Sequence, residues 1–245
     1  MPARRALIIA GVLTLLSALV ILFPARVALN WFAPPGINLS GIDGTVWSGT
    51  VDHLSIEGTY LSDIRWRAMP LKLITGKLAV AVSGNFASGI IETDVALGFG
   101  GDVYLSDLAG SFPVQSLQQF IGMTGLQGVL NVQFDYLHFS DGVPVEVDGT
   151  AEVSGLLIPL VSRTPLGGFR AEFFTQGAGI GASVLDTDGV VDLAGSLEID
   201  ADGNYQFLGL LAAKPATPPQ IREQMRFLGS PNERGQYELR LEGQL

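Results

Sequence analysis

Cysteine is absent from the 245-residue chain, which excludes a disulfide framework and any thiolate metal site. Histidine is scarce. His53 and His138 stand alone, neither with a second histidine at ligand spacing, so no metal motif exists at the level of sequence and no cofactor is implied. Basic residues are also few, 14 Lys and Arg against 24 Asp and Glu, for a net charge of −10. Neutralising phosphates takes a basic face, so nucleic acid is excluded as a partner. Charged residues make up only 16% of the chain, and the mean hydropathy of +0.37 is high for a water-soluble domain. The apolar excess must therefore be concentrated somewhere.

It is concentrated at the start. Residues 6–23, ALIIAGVLTLLSALVILF, hold no charge, and only Gly11, Thr14 and Ser17 fall outside the hydrophobic set. That length is near the minimum for a helix crossing a core of roughly 30 Å. A cleaved signal peptide has a shorter apolar region, about 7–15 residues, and then a small-x-small site. Here Arg26 and Val27 occupy the wrong places for cleavage, so an uncleaved anchor is expected. Arg4 and Arg5 precede the segment and Arg26 follows it, a bias that puts residues 1–5 in the cytoplasm. The expected organisation is a transmembrane helix at 6–23, a linker at 24–40 and a β-rich domain at 41–245 on the far side of the membrane. All 24 acidic side chains but only 11 basic ones follow residue 30, giving this portion a charge of −13. Freedom from cysteine suits a bacterial periplasm, where a large core makes disulfides dispensable.

Beyond residue 40 the dominant period is two, the mark of strands with one buried face. Val143, Val145, Val147, Gly149, Ala151 and Val153 alternate with polar neighbours, as do Val191, Leu193, Gly195, Leu197 and Ile199. Similar runs are Ile91 to Phe99, Leu130-Val132-Phe134-Tyr136, and Tyr237-Leu239-Leu241. Asp-Gly pairs at 43–44, 141–142, 188–189 and 202–203 are hairpin signals. The fold class is mainly β: on the order of fifteen short antiparallel strands, arranged as a meander, a curved half-pipe or a sandwich. Two stretches have helical spacing. One runs from Pro113 to Met123 with Leu117, Phe120 and Ile121, and the other follows a Thr217 cap with Ile221, Met225 and Leu228, stopped by Gly229. Both are expected to dock on the sheet.

Chemistry is thin. No Gly-x-Ser-x-Gly elbow supports a nucleophile, residues 186–189 lack the ligand pattern of a calcium loop, and the glycines of 177–181 fit no phosphate fingerprint. No catalytic residue is singled out, and the chain is read as a non-enzyme.

One set of segments carries a resemblance. Residues 41–49, GIDGTVWSG, are followed by LSDIRWRAMP at 61–70 and LKLITGKL at 71–78. In order and spacing these resemble the protein N family of the bacterial type II (general) secretion system, with its Gly-Thr-x-Trp-x-Gly, then Trp and Pro, then Leu-x-x-Gly. The likeness continues through LAGSFP at 108–113, LQG at 126–128, GSLEIDADGNY at 195–205, Leu228-Gly229, Gly235 and Gly243. The motif positions are Gly44, Val46, Trp47, Gly49, Trp66, Pro70, Gly76, Gly195, Gly203, Tyr205, Gly229 and Gly243. The residues themselves read as core and turn: Trp47 and Trp66 in strand-like runs, Gly44 and Gly49 at turns or close approaches. The resemblance implies an inner-membrane component of the machine that moves folded exoproteins out of the periplasm, in contact with other secretion subunits or with exoproteins. A second reading treats the apolar sheet face as an AsmA-like surface that binds or carries lipid between membranes. The two readings differ in what fills that face.

Overall fold

Nearly every alternating run in the sequence is a strand. The computed structural model describes all residues except Met1, 33–35, 57–58, 76, 99, 119–121, 141 and 245. The chain divides into two units, Met1–Phe86 and Ala87–Leu245. Among the described residues thirteen strands are formed rather than about fifteen, because several runs are longer than expected, up to the 15 residues of Val143–Leu157.

In the first unit, helix α1 (Pro2–Ile21) and helix α2 (Ala25–Phe32) precede four strands, β1 (Ile37–Thr45), β2 (Ser48–Ile56), β3 (Thr59–Ala68) and β4 (Leu78–Phe86). Each strand pairs antiparallel with the next. The helical part of the apolar run ends at Ile21, because Pro24 disfavours helical geometry in the residue before it and its own backbone is drawn into a bridge with Thr45. Residues 6–21 then span about 24 Å at about 1.5 Å per residue. Among the described residues no helix is long and apolar enough to cross a membrane. The described large apolar side chains of α1, Leu7 and those from Ile9 to Ile21, are 49–73% exposed, all around the helix. Helix α2 is different: Ala25 is buried with Ile42, Val51 and Ile64, and Leu29 packs beside them, so α2 covers one face of the strands.

The second unit runs β5 (Gly89–Leu97), β6 (Val103–Pro113), β7 (Gln127–Ser140), β8 (Val143–Leu157), β9 (Gly167–Gln176), β10 (Gly179–Asp186), β11 (Val191–Ile199), β12 (Asn204–Ala213), helix α3 (Pro219–Met225) and β13 (Tyr237–Gln244). Again every strand pairs with its neighbours in sequence. Neither unit pairs its first strand with its last among the described residues, so neither is a closed barrel. Helix α3 docks through Ile221 and Met225 on Leu166 and Val191. Leu228 is 39% exposed, so the apolar stripe stops at Met225. Thr217 does not cap α3. Its hydroxyl donates to the Val190 carbonyl, and the N-cap residue is Pro218 without a side-chain cap. Of the stretch from Pro113 to Met123, Val114–Leu117 is a single 3-10 turn, while Phe120 and Ile121 lie outside the described residues. An ion pair fastens the β10–β11 connection to the end of β12: the Lys214 ammonium meets Asp186, which also accepts from the Leu193 N–H at 2.9 Å. Burial works against the Asp186 carboxylate, but Lys214 and the Leu193 amide outweigh it and hold the carboxyl below its ordinary range.

Bulges shift the alternation. In β7 the register slips between Phe134 and Tyr136, so Leu137 and not Tyr136 pairs with buried Val147 and continues the face of Leu130, Val132 and Phe134. In β6 and β3 the slips fall at Asp107 and Asp63, both with φ of 52°, a conformation that aspartate tolerates better than most residues.

Candidate interaction surfaces

The motif residues of the first unit gather where the β1–β2 turn meets the end of α1. Val46 and Trp47 form that turn, so Trp47 lies outside any strand and Asp43-Gly44 lies within β1 rather than at the turn. The Trp47 indole donates to the Val20 carbonyl at 2.9 Å, and the Val46 N–H donates to the Phe23 carbonyl at 3.0 Å. The first bond fastens the last turn of α1 to the sheet and the second fastens the residue just before Pro24. Gly44 has φ 101° and faces Gly49 across the hairpin. Gly49 in turn is the register partner of Trp66, and a Cβ there would lie 2.3 Å from the indole ring and 2.3 Å from the Asp43 carbonyl. The missing side chain is the seat of the ring. Pro70 opens a 3-10 turn, Pro70–Thr75, between β3 and β4, while Gly76 lies outside the described residues. Trp66, with Leu39, Leu54 and Val82 from the strands and Ala28 and Leu29 from α2, lines an apolar cavity of about 330 Å³. Arg4 and Arg5 lie in the first turns of α1.

The same device recurs in the second unit. Gly243 faces Tyr205, whose ring lies 2.5–2.7 Å from where a Cβ would sit, and Gly195 faces Gly209 under the ring of Phe207. Gly203, with φ 79°, shapes the β11–β12 turn, and Gly229, with φ 117°, ends the 3-10 turn Arg226–Leu228 after α3. The motif positions of this unit are spread along the strands and do not converge on one point.

The face carrying those rings is mostly apolar, with Thr175 and Asp186 as polar exceptions on it. Register places Leu137, Phe134, Phe173, Leu193, Leu197, Phe207 and Leu239 on it. These side chains are half-buried, not buried, and α3 covers only the end near Val191 and Tyr237. Phe134 and Phe173 pack against each other with ring centroids 5.6 Å apart. Polar residues dominate the other face, among them Glu146, Asp148, Glu172, Glu198 and Glu238. It is less clean than the alternation predicts: Leu185, Leu208 and Leu210 are 37–51% exposed on it.

On that polar face the β7 bulge assembles a cluster the sequence did not announce. His138 stacks on Tyr104, ring centroids 4.3 Å apart and 14° from parallel, with Nδ1 3.4 Å from Glu146. Burial, then the neighbouring Glu146 carboxylate, raises the Tyr136 phenol above its ordinary range. His53 is apart from this cluster, exposed on β2. Among the described residues no three histidine or acidic side chains could hold a metal ion. A cleft of about 670 Å³ beside Tyr205 and Gly243 is lined by Glu198, Asp200 and Glu242 together with Ile180 and Ile199.

Comparison with known proteins adds the identity that geometry alone leaves open. A protein-family profile described as type II secretion system (T2SS), protein N, matches residues 35–240. Proteins named type II secretion system protein N from Vibrio cholerae serotype O1 and from Aeromonas hydrophila are 24% and 25% identical over 238 and 240 residues, each alignment covering 94% of both chains. One from Pectobacterium carotovorum is 25% identical over 232 residues, covering 91% of this chain and 90% of its own. No solved structure matches. Because the profile takes in the strands from β1 into β13, the chain belongs to the type II secretion system protein N family.

Proposed function

We propose that this chain is a noncatalytic component of a type II secretion system, anchored in the bacterial inner membrane and acting through contacts of its β domain in the periplasm. Residues 1–5 are cytoplasmic on this reading, 6–23 lie in the membrane, 24–40 lead out of it and 41–245 are periplasmic. The observation that carries the reading is the family match over 35–240. Support for the anchor comes from α1, whose apolar side chains are exposed on every side and have to be covered by lipid or protein, with Leu22 and Phe23 extending the run past its end. Open edges at β1 and β13 offer main-chain groups to a neighbouring subunit or an exoprotein. The motif positions keep the rings of Trp66 and Tyr205 seated and so preserve the shape such contacts need. Deletion of the gene, with plasmid complementation, is expected to abolish or reduce the release of exoproteins. Unchanged release, under conditions where the other secretion components are required, refutes the proposal.

One observation favours a second reading, in which the sheet carries lipid. Among the described residues the apolar face of the second unit is only half-buried away from α3. Photo-crosslinkers at Val145, Leu193 and Leu197 then capture acyl chains in vivo, and capture of protein alone removes this reading.

A further inference from the structure

The first unit has a charge and an exposed apolar tip that the secretion role leaves unused. Met1–Phe86 carries seven basic side chains against four acidic ones, whereas Ala87–Leu245 carries seven against twenty. The cations of the first unit are also placed asymmetrically. Arg67 pairs with Ser48 at the β1–β2 turn, the Ala68 N–H donates to the Trp47 carbonyl, and Lys72 and Lys77 follow in the β3–β4 connection. This is the end of the sheet that Trp47 and Val46 tie to Val20 and Phe23 of the apolar segment. Of the acidic residues, Asp43 lies nearest, level with Arg65 through Thr50; Asp52 and Asp63 are farther along the strands, and Glu57 is outside the described residues. At the same end Leu71 is 79% exposed, Leu78 50% and Trp31 69%, with the Trp31 ring 5.9 Å from that of Phe23.

An aromatic pair where an apolar segment ends, a protruding leucine and three neighbouring cations form the pattern of a surface seated in a lipid interface. We propose that this end of the first unit rests on an anionic bilayer surface, with Leu71 at the boundary between headgroups and acyl chains and Arg67, Lys72 and Lys77 among the phosphates. The proposal rests on the anchor reading, since α1 brings this end to the membrane. It goes beyond an anchor by giving the sheet a second point of attachment. Trp47 and Val46 already tie this end of the sheet to the apolar segment, and a surface contact beside that tie fixes the tilt of the first unit against the bilayer.

The cysteine-free sequence makes the test direct, because a single introduced thiol is the sole labelling site. Full-length protein carrying Leu71→Cys, Leu13→Cys or Phe227→Cys is labelled with an environment-sensitive dye and reconstituted into phosphatidylcholine vesicles with or without phosphatidylglycerol. The Leu71 probe is expected to be quenched by nitroxide placed near the lipid headgroup and shielded from aqueous iodide, more so with phosphatidylglycerol. The Phe227 probe, on an 89% exposed residue of the second unit, stays open to iodide. Replacing Arg67 and Lys77 by Gln lowers the docking constant by roughly five-fold per charge. A Leu71 probe as open to iodide as the Phe227 probe, alongside a lipid-quenched Leu13 probe, overturns the surface and leaves the anchor standing. If the Leu13 probe is not lipid-quenched either, both fail. Shielding of Leu71 only in envelopes containing the whole secretion machine assigns the tip to a protein partner and also overturns the proposal.

Discussion

Gly49→Ala tests whether the motif glycine exists to seat Trp66. The added methyl would sit 2.3 Å from the Trp66 ring and 2.3 Å from the Asp43 carbonyl, where ordinary contact starts near 3.4 Å. Both neighbours have to retreat by about 1 Å, and the carbonyl belongs to a strand paired through Thr50, so backbone must move with it. Overpacking of this kind costs about 1–3 kcal/mol, and the involvement of backbone puts it at the upper end. At about 2–4 °C per kcal/mol for a chain of this size, Tm falls by roughly 5–10 °C. The assay is a thermal melt followed by Trp66 emission in a background where Trp31 and Trp47 are replaced by Phe, with Gly100→Ala as the control, since its nearest neighbour lies at 3.6 Å. Trp66→Leu removes the ring but not the carbonyl, so the double variant, melted by circular dichroism because no tryptophan remains in it, should lose less than the sum of the single ones, by about 1 kcal/mol. A Gly49→Ala protein that melts within about 1 °C of its parent, with Trp66 emission unchanged, refutes the argument.

Lys214→Met should destabilise the second unit by about 2 kcal/mol at neutral pH, between the values for exposed and buried pairs. Because Asp186 titrates below its ordinary 3.8 when folded, the stabilisation is present above that pH and lost as pH falls through the lower folded value; parent and variant melts should converge in acid, and a constant difference down to strong acid contradicts the assignment. Met225→Ala removes a 4% exposed side chain from the α3 contact and should cost about 2–5 kcal/mol, read as faster amide exchange in α3; an unchanged rate argues that α3 is held elsewhere. Leu13→Arg places a charge in the apolar segment at about 2.5–3.5 kcal/mol on insertion scales and should shift the protein out of the membrane fraction or misorient it. Normal fractionation of that variant would mean that residues 6–23 are not the sole attachment.

The strands were legible because their burial is one-sided. Val191 to Ile199 alternates without interruption and forms β11 over those nine residues, and Tyr237 to Leu241 falls within β13. Legibility failed where the backbone leaves the regular pleat. Tyr136 sits in phase with Phe134 in the sequence, but the bulge between them turns it to the opposite side, and the stack of Tyr104 on His138 follows from that slip. Glycine was legible at turns such as Gly203 but not in strands. Gly49 reads as a turn or a close approach without its partner, and Gly195 and Gly243 only as motif positions, whereas each lies against a ring on the neighbouring strand. That pairing is set by register, which a single sequence does not encode locally. Asp43-Gly44 misled for a similar reason, since two more residues of pairing, Gly44 with Gly49 and Thr45 with Ser48, carry the hairpin on to Val46 and Trp47. The family likeness was legible at 41–78 because it depends on order and spacing, which no register shift disturbs.

Pairing only between sequence neighbours has a consequence for how the protein is made. In the second unit each described strand pairs with its neighbours in sequence: β5 to β13 join one after another through hairpins and three longer connections, between β6 and β7, between β8 and β9, and the one between β12 and β13 that holds α3. Loop closure for each step is short, so contacts form without a large entropic barrier. Stability accumulates as a chain of nearest-neighbour terms, as in repeat proteins. Each hairpin can therefore close as soon as its second strand is released, and a chain held at its N-terminal segment while the rest emerges would order itself strand by strand from that held end outward.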